Sequence, residues 1–148
     1  MSEFKRILVA VDFSPVSARA LQLALDLAEQ LGVRIDVVHS VPITAIDLPA
    51  ESSAEYNEEL IEHELDASRE KLARFVKEHA NNSVDIGEHI SYGEPARKIN
   101  EMAETIHSDL IVIGTHGRTG LSHLLMGSVA ESVLRHANIP VLCIRSHS

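Results

Sequence analysis

The chain has 148 residues, 45% of them apolar, with 13 basic against 22 acidic side chains and a net charge of −9. That length suits one domain over residues 1–148 with a core of useful size. The acidic balance excludes a nucleic-acid partner, whose phosphates demand a basic face, and argues equally against docking on an anionic membrane.

In chain order, Lys5–Val11 reads as a buried strand, and its apolar run Ile7–Val11 is too short for a signal segment or a membrane span. Ser14 and Pro15 open a helix as N-cap and first-turn residue. Ala20, Leu21, Ala24, Leu27, Ala28 and Leu31 recur along it at helical spacing, and Gly32 stops it. Val33–His39 is a second strand, and Val41–Ala54, with Pro42 and Pro49, is a loop. A longer helix over Glu55–Ala80 turns Leu60, Ile61, Leu65, Leu72, Phe75 and Val76 to the core. Its acidic start and its late Lys71, Arg74 and Lys77 suit the helix dipole, and the charge run Glu51–Glu70 reads as a solvated face.

Asn81–Asn82 make a turn. Val84, Ile86, Glu88 and Ile90 then alternate with Asp85, Gly87, His89 and Ser91, which predicts a half-exposed third strand near an edge. Gly93–Pro95 starts a helix with Ala96, Ile99, Ala103 and Ile106 on one face, and Glu94 is a poorer N-cap than Asp. Asp109–Gly114 is the fourth strand, Ser128–His136 the fourth helix, and Ile139–Arg145 the fifth strand. Cys143, the only cysteine, reads as a small buried hydrophobe, and its solitude excludes an intrachain disulfide and fits a reducing cytoplasm. The alternation of strand and helix predicts an α/β fold: an open parallel sheet with helices on both faces. Ligands of such sheets bind beyond the carboxyl ends of the strands, where strand order switches.

The segment after the fourth strand is the most informative. From Gly114 to Ser128 it spells Gly-x2-Gly-x9-Gly-Ser, with Gly114, Gly117, Gly127 and Ser128 as the fixed points. Strand, glycine loop and helix start is how a backbone approaches a phosphate chain: glycines leave out Cβ atoms where oxygens come close, and the helix start offers unpaired N–H groups. On this reading a Cβ at Gly127 would fill space the phosphates need. The loop has no lysine, so it is not the Gly-x4-Gly-Lys-Ser/Thr phosphate loop. Asp12, after the first strand, faces this loop if strands one and four are neighbours; it is either a hard oxygen ligand for Mg²⁺ or a turn residue. Ser128 has two roles open to it, a phosphate contact or the N-cap of a capping box closed by Glu131. Arg118 and His116 either add charge to a triphosphate or are exposed loop residues. The nine histidines show no metal-ligand spacing, and no Gly-x-Ser-x-Gly elbow or Cys-His pair exists, so no catalytic residue is assigned.

Val11-Asp12-Phe13-Ser14, Gly93-Glu94-Pro95, the glycine pattern, Gly127-Ser128-Val129-Ala130-Glu131 and Ile139-Pro140-Val141-Leu142 together resemble the universal stress protein family, in its nucleotide-binding branch, over the whole chain. The resemblance implies a five-stranded parallel sheet of order 3-2-1-4-5, of the adenine-nucleotide alpha hydrolase-like type, and a homodimer through the last strand. It implies ATP (or ADP or AMP) with Mg²⁺ or Mn²⁺. By position, Asp12 lies near the phosphates and the metal, Ser40 or Val41 contacts adenine through backbone, and Ile113 and Gly114 line the ribose side. Gly117, Gly127, Ser128, Val129 and Ala130 hold the phosphates. Ala130 stands where a Thr is common, so the backbone N–H must suffice there. The implied function is that of a cytoplasmic stress-response regulator or nucleotide-dependent switch. A slow Mg²⁺-dependent ATPase and a dimeric interaction module with no bound nucleotide stay open as alternatives.

Overall fold

The computed structural model describes residues 4–80, 84–116 and 126–145. Five strands, β1 (Arg6–Ala10), β2 (Arg34–Val41), β3 (Ile86–Tyr92), β4 (Leu110–Gly114) and β5 (Val141–Ile144), form one parallel sheet in the order 3-2-1-4-5. Four helices connect them: α1 (Pro15–Leu31), α2 (Ala54–His79), α3 (Pro95–Thr105) and α4 (Ser128–His136). The chain builds outward from β1 to β3, then crosses back to lay β4 on the other side of β1, pairing Ala10 with Ile113. The switch of strand order therefore falls between β1 and β4. The turn expected at Asn81–Asn82 lies outside the described residues.

Strand alternation decides the two faces. Ile7 and Val9 of β1, Ile35 and Val37 of β2 and Val112 of β4 point to one side, where α1 and α2 cover them with Leu21, Leu25, Leu72, Phe75 and Val76. Leu8, Ala10, Val38, Ile111 and Ile113 point to the other, under Ile99 and Ala103 of α3 and Ala130 and Val133 of α4. Each fully buried Val, Leu, Ile or Phe side chain among them contributes about 1.5–3 kcal/mol to folding. β3 is an edge strand, as its alternating pattern predicts.

Local signals set most boundaries. Ser14 Oγ accepts from Ser17 N at 3.2 Å, and Gly32, with φ 70°, closes α1. Of the face foreseen for α1, Ala20, Leu21, Ala24 and Ala28 are buried, Leu27 is partly buried and Leu31, in the last turn, is 55% exposed; Leu25 joins the core unforeseen. Glu94 caps better than its residue type suggests: its carboxylate reaches both Ala96 N (3.1 Å) and Arg97 N (2.9 Å) at the start of α3. Cys143 is only partly buried, and that burial pushes its thiol pKa up.

One charge is buried within the sheet. Asp36 of β2 is 1% exposed and meets His89 Nε2 at 2.8 Å, Arg34 Nε at 3.1 Å and Nη2 at 3.2 Å, and Arg6 Nε at 3.3 Å. Burial pushes the carboxyl up, but the hydrogen bonds from His89 and Arg34 and the charges of Arg34 and Arg6 outweigh it, so its pKa lies below the usual carboxylate range. Among the described residues, no helix is long and apolar enough to cross a membrane.

Candidate functional site

The carboxyl ends of β1, β2 and β4 open into one cleft of about 460 Å³, walled further by α2 and by the starts of α1, α3 and α4. Nine of the residues foreseen as a site line it: Asp12, Ser40, Val41, Ile113, Gly114, Gly127, Ser128, Val129 and Ala130. The other two, Gly117 and Arg118, lie outside the described residues.

Beyond β1, Asp12 Oδ1 accepts from Ser14 N at 3.0 Å, and Asp12 N donates to Ser17 Oγ at 3.4 Å. The turn role of Asp12 is therefore real, but it occupies one carboxylate oxygen; the other has no partner among the described residues. Phe13 follows with φ 67°, a left-handed conformation that a bulky residue adopts only when its surroundings hold it. They do so here: His39 lies 4.4 Å from its ring, Phe75 meets it edge-on at 5.5 Å, and Lys71 Nζ sits 4.6 Å from its centroid.

At the end of β2, the Ser40 hydroxyl oxygen is buried without a hydrogen-bond partner among the described residues. The Val41 carbonyl already accepts from Gly93 N at 3.0 Å. At the end of β4, Gly114 is a packing glycine: a Cβ there would lie 2.9 Å from Val16 Cγ1, so the first turn of α1 depends on its absence. Thr115 N bonds Ile144 O at 2.9 Å, tying this corner to β5. His116 is not an exposed loop residue; it is 7% exposed, and its Nδ1 shares a 2.9 Å hydrogen bond with Thr115 Oγ1.

The start of α4 overturns one expectation and changes the reason for another. Gly127, with extended backbone (φ −63°, ψ 153°), is the N-cap, and Ser128 is the first helical residue. The capping box does not form: Glu131 N bonds Gly127 O at 3.0 Å, and the Glu131 carboxylate pairs with Arg135. The box fails because the chain enters the helix one residue earlier than the Ser-x-x-Glu pattern suggests. Among the described residues no side chain caps α4, and Ser128 is exposed with its hydroxyl unbonded. Gly127 is required by the protein's own backbone: its N–H donates to Thr115 O, and a Cβ would lie 2.7 Å from that oxygen. The steric case for glycine is complete here without a phosphate.

Sequence reasoning missed the wall contributed by α2. Glu64, Ser68 and Lys71 line the cleft at i, i+4 and i+7, one face of a helix. The spacing was readable, but which way that face turns depends on how α2 docks. Among the described residues no group of three His, Cys, Asp or Glu side chains could hold a metal alone.

The sequence profile of the universal stress protein family matches residues 3–145. Universal stress protein MJ0531 of Methanocaldococcus jannaschii is 36% identical over 143 residues, covering 96% of this chain and 82% of that protein. The solved structure of MJ0577, a hypothetical protein whose biochemical function was assigned from its structure, superposes with TM-score 0.80 at 28% identity over 99% of this chain and all of the other. A universal stress protein from Archaeoglobus fulgidus, solved in complex with dAMP, superposes with TM-score 0.60 at 27% identity, over 97% of this chain and 100% of that one. With the glycine pattern, the strand order and the full-length match in agreement, the chain belongs to the universal stress protein family.

Proposed function

We propose that this protein binds an adenine nucleotide, ATP first among them, between Asp12 and the start of α4, and acts as a nucleotide-dependent regulator of a stress response rather than a turnover enzyme. The observation that carries this reading is the amino terminus of α4, which no described side chain caps and which opens with an exposed Ser128 onto the same cleft as Asp12. The N–H groups of Ser128, Val129 and Ala130 lack intrahelical partners by geometry, and that is where an anion binds a helix. The cleft volume falls within the range of small-molecule sites. The dAMP complex of the Archaeoglobus fulgidus relative supports an adenine nucleotide as the ligand class.

A divalent cation fits this donor set. Mg²⁺ keeps several waters and takes one or two carboxylates together with substrate phosphates. Asp12 offers one uncommitted oxygen, so Mg²⁺ or Mn²⁺ would be held jointly by Asp12 and the nucleotide. The cation's chemistry is charge neutralisation between phosphate oxygens and an acidic protein. We place this work in the cytoplasm, where a lone, partly buried cysteine stays reduced.

We also propose a homodimer through β5. That strand is at a sheet edge, with Val141, Leu142 and Cys143 only partly buried. Pro140 O accepts from Ile111 N of β4 and Ile144 O from Thr115 N just beyond it, so by alternation the N–H and C=O of Val141 and Cys143 point outward, ready for a second copy. Pairing edge to edge about a two-fold axis closes the assembly.

The test is mass analysis of small molecules released on denaturing the purified protein, with calorimetric titration of ATP, ADP and AMP in the presence of Mg²⁺. An adenine nucleotide released, or saturable binding at a single site, is expected. No nucleotide and no heat would leave the interaction-module alternative in its place, and sustained phosphate release would favour the ATPase.

A further inference from the structure

We infer that Lys71 of α2 is the cleft's phosphate-holding cation and that the Phe13 ring keeps it poised there. The inference rests on the nucleotide reading above and extends it to a residue outside the glycine motif.

The chain's net charge is −9, so an anionic ligand enters against the overall field and needs a local positive group. Lys71 is the only lysine or arginine among the described residues that line the cleft. It is exposed, and among the described residues its only ionic, hydrogen-bonding or ring interaction is with the Phe13 ring, 4.6 Å from Nζ to the centroid. It lies on the same helical face as Ser68 and Glu64, so the backbone of α2 aims it at the opening. That aim is rigid because Leu72, Phe75 and Val76, next to it in sequence, are buried against the sheet.

Phe13 is the second half of the device. It directly follows Asp12, and its left-handed backbone is clamped by His39 and Phe75. An exposed cation over a ring is worth only about 0.5–1 kcal/mol. The ammonium is therefore held near the Asp12 turn with no carboxylate partner among the described residues, and it can leave the ring for a phosphate oxygen at small cost. A salt-bridged lysine would first have to break its pair. The side chain then reads phosphate content: a ligand with several phosphates engages it, and a nucleoside gives it nothing to bind.

The test is calorimetric titration of ATP, AMP and adenosine into the wild type and into Lys71→Met, Lys71→Arg and Phe13→Leu, at low and high salt. Lys71→Met is expected to weaken ATP binding about ten-fold, as for loss of a charge-assisted hydrogen bond, while leaving adenosine unchanged. Lys71→Arg should retain ATP affinity, and Phe13→Leu should show a smaller loss in the same ligand order. The salt dependence of ATP binding should flatten in Lys71→Met, a readout that a purely structural role for Lys71 would not move. Equal affinities of wild type and Lys71→Met for ATP overturn the inference and leave the nucleotide site standing. Equal losses for ATP and adenosine assign Lys71 to the architecture of α2 and overturn it as well. A wild type that binds no adenine nucleotide overturns both readings.

Discussion

Replacing Asp36 by Asn tests how much the buried charge contributes. Asn keeps the shape and one acceptor oxygen, but it removes the negative charge and turns an NH₂ group towards donors. His89 at 2.8 Å, Arg34 at 3.1 and 3.2 Å and Arg6 at 3.3 Å then lose their shared buried anion, and Arg34 retains the exposed Asp85 carboxylate, 3.3 Å from its Nη1. Breaking a fully buried ion pair costs about 3–5 kcal/mol. Here the acid is buried but the Arg6 and Arg34 side chains are 32% and 35% exposed, so water recovers part of their hydration. A loss of about 2–3 kcal/mol follows, between the surface and buried limits. In a domain of this size that lowers Tm by about 5–10 °C. The assay is urea unfolding of both proteins from pH 7 down to pH 3. Because the folded pKa of Asp36 lies below the ordinary value, its contribution is fully present above the unfolded pKa, about 3.9, and is lost as pH falls through the folded value. The gap between wild type and Asp36→Asn should hold steady from pH 7 to 5 and close in acid. A variant as stable as the wild type at pH 7 would show that desolvation cancels the pairing, and a gap that persists unchanged into strong acid would place the effect elsewhere than in the charge.

Other expectations are as direct. Gly127→Ala places a Cβ 2.7 Å from Thr115 O and should cost about 1–3 kcal/mol with no ligand present, a loss visible in thermal denaturation; unchanged stability would show that this corner yields freely. Leu72→Ala, at a residue 1% exposed under α2, should lose about 2–5 kcal/mol in urea unfolding, and a loss under 1 kcal/mol would mean α2 collapses onto the gap. Asp12→Asn should weaken ATP binding about ten-fold with Mg²⁺ and little without it; an equal loss in both conditions would assign Asp12 to the turn through Ser14 N alone. Cys143→Pro removes an outward N–H and should yield a folded monomer by sedimentation, whereas Leu142→Pro breaks the β4 ladder and should unfold; a dimeric Cys143→Pro protein would exclude pairing through β5.

The sequence made the fold legible because its signals are short-range and mutually consistent. Ser14–Pro15 and Gly32 bracket α1, apolar runs mark β1 and β4, and the alternation of β3 betrays an edge. Strand order came from family resemblance, since periodicity says nothing of which strands neighbour. The lining of the cleft was legible where it follows strand ends, as at Asp12, Ile113 and Gly114. At Ser128 the sequence left two roles open, because Ser-x-x-Glu looks the same whether serine is the cap or one residue inside, and only the extended backbone of Gly127 decides against the cap. Lys71 was read as a partner of the helix dipole, because its place over Phe13 depends on packing between elements 58 residues apart in the chain. The buried charge of Asp36 has no local sequence signal, since its partners Arg6 and His89 come from two other strands.

The bare start of α4 has a thermodynamic consequence. A helix start that no described side chain caps is prone to fray, and an anion seated on its first turn would act, physically, as the cap. Occupancy and order are then the same variable: ligand at one hundred times its Kd would add about 2.7 kcal/mol to stability. Amide exchange in Ser128–Glu131 would slow as nucleotide rises, well before the rest of the sheet responds. The shape of this corner, and of any surface a partner reads beside it, would become a gauge of nucleotide concentration, with no hydrolysis required.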